Sequence, residues 1–106
     1  MKKYKIEITK EALRDMEEIY NYIADELLSL DNAIGQYNRI ADAIMQLDTF
    51  PEKFRILRSE KEKQKELRRM IVDNYSVFYV IRENRVIITN VLYSASDIEE
   101  KLRKQI

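Results

Sequence analysis

The sequence contains no cysteine and no histidine. Disulfides, thiolate metal sites and cysteine nucleophiles are therefore excluded, together with imidazole-ligated zinc and Ser–His–Asp chemistry. There is one glycine, Gly35, and one proline, Pro51, so no glycine-rich phosphate loop is present. No apolar run reaches the roughly 18 residues needed to span a membrane. The basic start, Met1-Lys2-Lys3-Tyr4-Lys5, is followed by no apolar signal stretch. The cytoplasm is the default expectation, and neither cofactor nor metal is expected.

What is present suits one domain over residues 1–106. Hydrophobic residues make up 45% of the 106, enough for a core and against wholesale disorder. The 19 basic and 19 acidic residues cancel, but they are unevenly placed. Residues 11–48 carry nine acids (Glu11, Asp15, Glu17, Glu18, Asp25, Glu26, Asp31, Asp42, Asp48) against Arg14 and Arg39. Residues 49–69 carry eight bases against four acids. Such a bipolar surface steers charged partners, or it is simply a solvated surface.

Tyr4, Ile6 and Ile8 alternate with charged neighbours, which predicts a half-buried strand. Thr9 is a candidate helix cap, with Glu11 in the first turn. Leu13, Met16, Ile19, Tyr20, Ile23 and Leu27 form one helical stripe. After the break at Leu28-Ser29-Leu30, Asp31 is the expected cap of a second helix. Its stripe is Ile34, Tyr37, Ile40, Ala41, Ile44 and Leu47, and Phe50-Pro51 stops it. A short strand over 54–57 and a longer one over 67–72 flank a polar loop. The Asp73-Asn74 and Glu83-Asn84 turns separate two more strands, 75–81 and 85–93. Ser96 and Glu99 form a capping box for a last helix. The order β-α-α-β-β-β-β-α predicts an α+β fold. An N-terminal strand and an antiparallel helical hairpin pack on a mostly antiparallel sheet of four to five strands, with a short C-terminal helix.

Along the strand over 67–72, Leu67, Arg69 and Ile71 share one face, and Arg68, Met70 and Val72 the other. One arginine therefore points toward an apolar face and needs an acceptor there. With Lys61, Lys63 and Lys65 upstream, this region is a candidate phosphate-binding surface; the alternative is a bonded arginine beside a solvated loop. Tyr75 and Tyr79 share a face suited to stacking on nucleobases, or to a core with wet hydroxyls. Tyr20, Tyr22 and Tyr37 read as packing or rim. Without histidine, a general base for RNA cleavage has to be a carboxylate, lysine or tyrosine. Glu66 on the basic loop is a better candidate than Asp97, which reads as a first-turn helix acid.

These residues resemble the RelE/ParE superfamily of toxins from type II toxin–antitoxin modules, from about Tyr4 to Leu102. The likeness is carried by Tyr4-Lys5-Ile6-Glu7-Ile8-Thr9 with Ala12 and Asp15, by Ile19 with Tyr22-Ile23, and by Leu47 with Phe50-Pro51. It continues through Leu67-Arg68-Arg69-Met70-Ile71-Val72-Asp73-Asn74-Tyr75, Val77-Phe78-Tyr79, and Val91-Leu92-Tyr93 leading into Asp97. The resemblance implies a growth-inhibiting plasmid-stabilisation toxin neutralised by a cognate antitoxin. RelE-like members cleave messenger RNA on the ribosome without metal; ParE-like members inhibit DNA gyrase. If this chain is a nuclease, Arg68, Arg69, Glu66 and Tyr93 are its candidate catalytic residues. Many relatives carry glycine and arginine between the positions of Tyr93 and Asp97, where this chain has Ser94-Ala95-Ser96. Met70, Ile71 and Val72 stand where several nucleases place a catalytic arginine. The expectation is a ParE-like binding inhibitor with gyrase as candidate target. The alternatives are a ribosome-dependent endoribonuclease and an inactive interaction module.

Overall fold

The computed structural model describes residues 3–57 and 66–95. Strand β1 (Lys5–Ile8) leads into α1 (Lys10–Asn21), which continues as one π-helical stretch (Tyr22–Glu26). Helix α2 (Leu30–Met45) returns, and two 3-10 turns (Gln46–Asp48 and Pro51–Lys53) follow. Strands β2 (Arg68–Val72), β3 (Tyr75–Arg82) and β4 (Arg85–Tyr93) complete a sheet of order β1-β4-β3-β2. The β2–β3 and β3–β4 pairings are antiparallel, whereas β1 runs parallel to β4, Ile6 opposite Val86. A parallel pair needs a crossover, and the helical hairpin supplies it.

The expected architecture is present, with local corrections. The strand expected over 54–57 is a single bridge, Ile56 to Arg68, followed by the bond from Leu57 N–H to the Leu67 carbonyl. The last helix, Arg58, Lys61, Lys63, Lys65 and Asp97 lie outside the described residues. The N-cap of α2 is Ser29, not Asp31, which sits in the first turn where an acid favours the helix dipole. The stripes are rotated by about one residue. Ala12, Met16 and Ile23 are buried on the first helical segment, and Ala33, Gln36, Ile40 and Ile44 on α2, while Leu13, Leu27 and Ile34 are exposed. Alanine is small enough to let helix and sheet approach closely, so the contact line passes through Ala12 and Ala33 rather than the larger neighbours. A separate shift affects Leu27, which follows the π stretch. The Leu27 N–H bonds the Tyr22 carbonyl five residues back, and the added residue shifts the helix phase.

The core lies between helices and sheet. Tyr4, Met16, Ile40, Ile44, Leu47, Met70, Val77, Tyr79, Val86, Ile88 and Val91 form it. A smaller cluster of Leu67, Phe78 and Leu92 lies on the other sheet face, flanked by Leu57 and Val80. A register shift between Phe78 and Tyr79 leaves Thr89 unpaired between Asn90 and Ile88, a bulge of the kind that re-aims a strand. Helix α1 is fastened there. The Thr9 hydroxyl donates to the Ile88 carbonyl (2.9 Å) and accepts from Ala12 N–H (3.1 Å), so one side chain both caps the helix and ties it to β4. Six residues later Asp15 accepts from Val91 N–H at 2.9 Å and from the Asn90 amide at 3.3 Å.

Candidate functional site

The two candidate arginines stand on opposite faces of β2, because side chains alternate along a strand. Arg68 shares the helix-side face with buried Met70. Its Nη1 donates to the carbonyls of Glu52 (3.1 Å) and Phe54 (2.7 Å). The Tyr79 hydroxyl donates to the Pro51 carbonyl at 2.6 Å, and the Tyr4 hydroxyl to Glu52 at 2.8 Å. Three side chains from three strands or strand ends therefore clamp the Pro51–Lys53 turn. The arginine that sequence alternation sends toward an apolar face finds its acceptors in backbone carbonyls.

Arg69 lies on the face away from the helices. Its Nε donates to the buried Ser76 hydroxyl (2.8 Å), which is 2.8 Å from the Ser94 hydroxyl. Ser94 also closes the end of β4 through its N–H to the Asn74 carbonyl. This row orients the guanidinium through one nitrogen. A planar guanidinium fork suits a phosphate or carboxylate.

The remaining candidates are dispersed. Glu66 is exposed, with φ of 57° in the turn that precedes β2, and among the described residues it makes no hydrogen bond or ion pair. Tyr93 pairs with Tyr75 across β4 and β3, their rings 5.8 Å apart and tilted by 59°. That pair is on the helix side, the opposite face from Arg69. Burial raises the Tyr75 hydroxyl above its ordinary pKa, with Tyr93 and Tyr22 adding to the shift. Tyr79 is wholly buried, and burial, against the pull of Arg68, pushes its hydroxyl up to about 12. Its ring is enclosed and offers no face to a nucleobase. Tyr75 and Tyr79 thus share a sheet face, as expected, but differ in access. The described candidates do not converge: Arg68 and Tyr79 hold the fold, Tyr75 and Tyr93 form an aromatic pair at one end, and Arg69 faces the other way.

Three further features involve residues that sequence reasoning placed only in a turn, a rim or a break. Asp73, at φ of 55° in the β2–β3 turn, accepts from Arg39 Nε (2.8 Å) and Gln36 Nε2 (3.0 Å). These bonds hold its carboxyl below the usual carboxylate range and lock the turn to α2. Tyr20 and Tyr37 meet edge to face between the helices. Leu28 projects from the tip of the helical hairpin. None has a local motif; each depends on which residues the fold brings together.

The family model described as ParE toxin of type II toxin-antitoxin system, parDE, matches residues 6–98. The chain belongs to the ParE toxin family. Among solved structures, this ParE-family chain is similar to a chain of the chromosomal ParDE toxin–antitoxin system from Pseudomonas aeruginosa. That match has TM-score 0.72 and 14% identity, and covers 85% of this chain and 95% of that one. It is also similar to a chain of the RelBE2 toxin–antitoxin complex from Mycobacterium tuberculosis, with TM-score 0.60, 20% identity, and 91% and 97% coverage. At these identities the structural likeness establishes the fold. No curated protein sequence matches. No helix among the described residues is long and apolar enough to cross a membrane.

Proposed function

We propose that this ParE-family toxin arrests growth by binding its target, with DNA gyrase as that target, and that a cognate antitoxin encoded beside it blocks the binding surface. The carrying observation is the dispersal of the candidate catalytic side chains across both faces of the sheet, on a chain that matches the ParE family over residues 6–98. A transferring proton and a developing charge need acid, base and cation within hydrogen-bond reach of one reacting atom. Arg69 and Tyr93 are separated by the sheet itself. A binding inhibitor has no such requirement.

One observation favours the endoribonuclease reading instead: Arg69, oriented by Ser76, lies on the strand that follows Lys61, Lys63 and Lys65 in the sequence. On that reading Arg69 and the lysines hold phosphate, and Glu66 handles a proton. Inducible expression without antitoxin separates the two. The gyrase reading expects double-strand DNA breaks, filamentous cells and intact messages, with loss of supercoiling activity when purified toxin meets gyrase. Codon-positioned cuts in translated messages would overturn it in favour of the nuclease. Soluble, folded and harmless protein would leave the inactive interaction module.

A further inference from the structure

Helix α1 and helix α2 leave an open hollow of about 390 Å³ between them, lined by Glu17, Tyr20, Asn21 and Tyr37. The spacing explains the lining. Glu17, Tyr20 and Asn21 lie at i, i+3 and i+4, so they stand together on one surface of α1. Tyr37 has alanines four residues to either side, Ala33 and Ala41, and isoleucines three residues to either side, Ile34 and Ile40. The two tyrosine rings are 6.2 Å apart and nearly perpendicular, at 88°. Both are only partly buried. They form two walls at a right angle, and an exposed carboxylate stands at the edge. Among the described residues Glu17 has no ion-pair or hydrogen-bond partner.

Aromatic faces carry negative charge density, and a carboxylate beside them adds a full negative charge. A cation gains from both, whereas an anion or neutral apolar group gains from at most one. The helical hairpin that carries the hollow has a net charge of the same sign. Residues 11–48 hold nine acids against two bases, and one of those bases, Arg39, is engaged by Asp73. We propose that the Glu17–Tyr20–Asn21–Tyr37 hollow is a binding site for a cationic side chain, arginine or lysine, from a basic segment of a protein partner. A guanidinium laid on one tyrosine face places its N–H groups toward the Glu17 carboxylate and the Asn21 amide oxygen. An ammonium fits the corner between the rings. The inference depends on this geometry alone and not on the cellular target, so its failure would leave the gyrase reading untouched.

The test uses the full chain and three small probes: N-acetyl-arginine amide, N-acetyl-lysine amide and N-acetyl-citrulline amide. Citrulline keeps the length and planarity of arginine without the charge. Tyrosine ring resonances are followed by NMR during titration. The expected result is a saturable shift at Tyr20 and Tyr37 with one or both cationic probes. Citrulline binding is expected to be about tenfold weaker, the scale of a partly desolvated cation–aromatic contact. The tighter of the two cations identifies the group preferred. Glu17→Gln, isosteric and on the surface, is expected to weaken the tighter cation at least threefold or so with an unchanged melting temperature, and Tyr37→Leu to abolish saturation. Equal binding of citrulline, an unchanged affinity in Glu17→Gln, or shifts at Tyr20 and Tyr37 no larger than at the other tyrosines would overturn the proposal and leave the tyrosine pair as packing of the helical hairpin.

Discussion

Tyr79 shows how one hydroxyl can be both a fastening and a liability. Its ring is enclosed in the core, and its O–H reaches the Pro51 carbonyl. Tyr79→Phe keeps the ring and removes the bond, leaving a buried acceptor without a donor, which costs about 1–2 kcal/mol. The pH dependence follows from the raised pKa. The folded state holds the proton up to about 12, while an exposed tyrosine releases it near 10.0. The stabilisation is therefore complete below the unfolded value and is lost as pH rises from there through the folded one. Denaturant melts of the native chain and Tyr79→Phe should differ most at neutral pH and draw together as pH approaches about 12. A gap that stays constant over that range would show that burial of this proton is not linked to folding. Arg68 belongs to the same clamp, which is why the sequence-level expectation that it needs an acceptor is met by carbonyls rather than by a substrate.

At the scale of elements, much of the fold could be read from periodicity and punctuation. The alternation around Ile6, the capping Thr9, the break at Ser29 and the paired turns at Asp73-Asn74 and Glu83-Asn84 all correspond to observed boundaries. Which residues face inward was less legible. A helix stripe drawn through the largest apolar residues passes through Leu13, Leu27 and Ile34, whereas close packing runs through Ala12 and Ala33. The π stretch adds a phase change that no composition signals. The site was less legible still. Alternation correctly separates Arg68 from Arg69, but the Tyr20–Tyr37 hollow exists only because two helices cross at those residues.

The same scale yields a prediction at the hairpin tip. Leu28 takes φ of 53° and is 85% exposed. An L-residue with a branched side chain pays about 1–2 kcal/mol for the left-handed region, where glycine pays nothing steric. Leu28→Gly gives up almost no burial, and it should raise stability by about 0.5–1 kcal/mol in urea unfolding even after glycine's greater chain entropy is counted. A loss of stability would mean that Leu28 makes contacts its exposure does not reveal.

For the whole molecule, the sheet is a partition. Its helix side carries the core, the Pro51–Lys53 clamp and, at one edge, the Tyr75–Tyr93 pair; its other side carries Arg69 and the smaller apolar cluster. Adjacent arginines in the sequence therefore have different duties, and alanine at each should give a different pair of outcomes. Arg68→Ala strips donors from two carbonyls and should lower stability by about 1–3 kcal/mol, with growth arrest falling only as far as folded protein does. Arg69→Ala removes one bond at the edge of the apolar cluster and should change stability by less than about 1 kcal/mol. If the toxin acts by binding gyrase, Arg69→Ala retains growth arrest at matched levels of folded protein. If a phosphate on the far face is its substrate, Arg69→Ala abolishes arrest while melting like the native chain. Measuring thermal unfolding and arrest on both variants separates a residue that builds the sheet from one that the sheet presents.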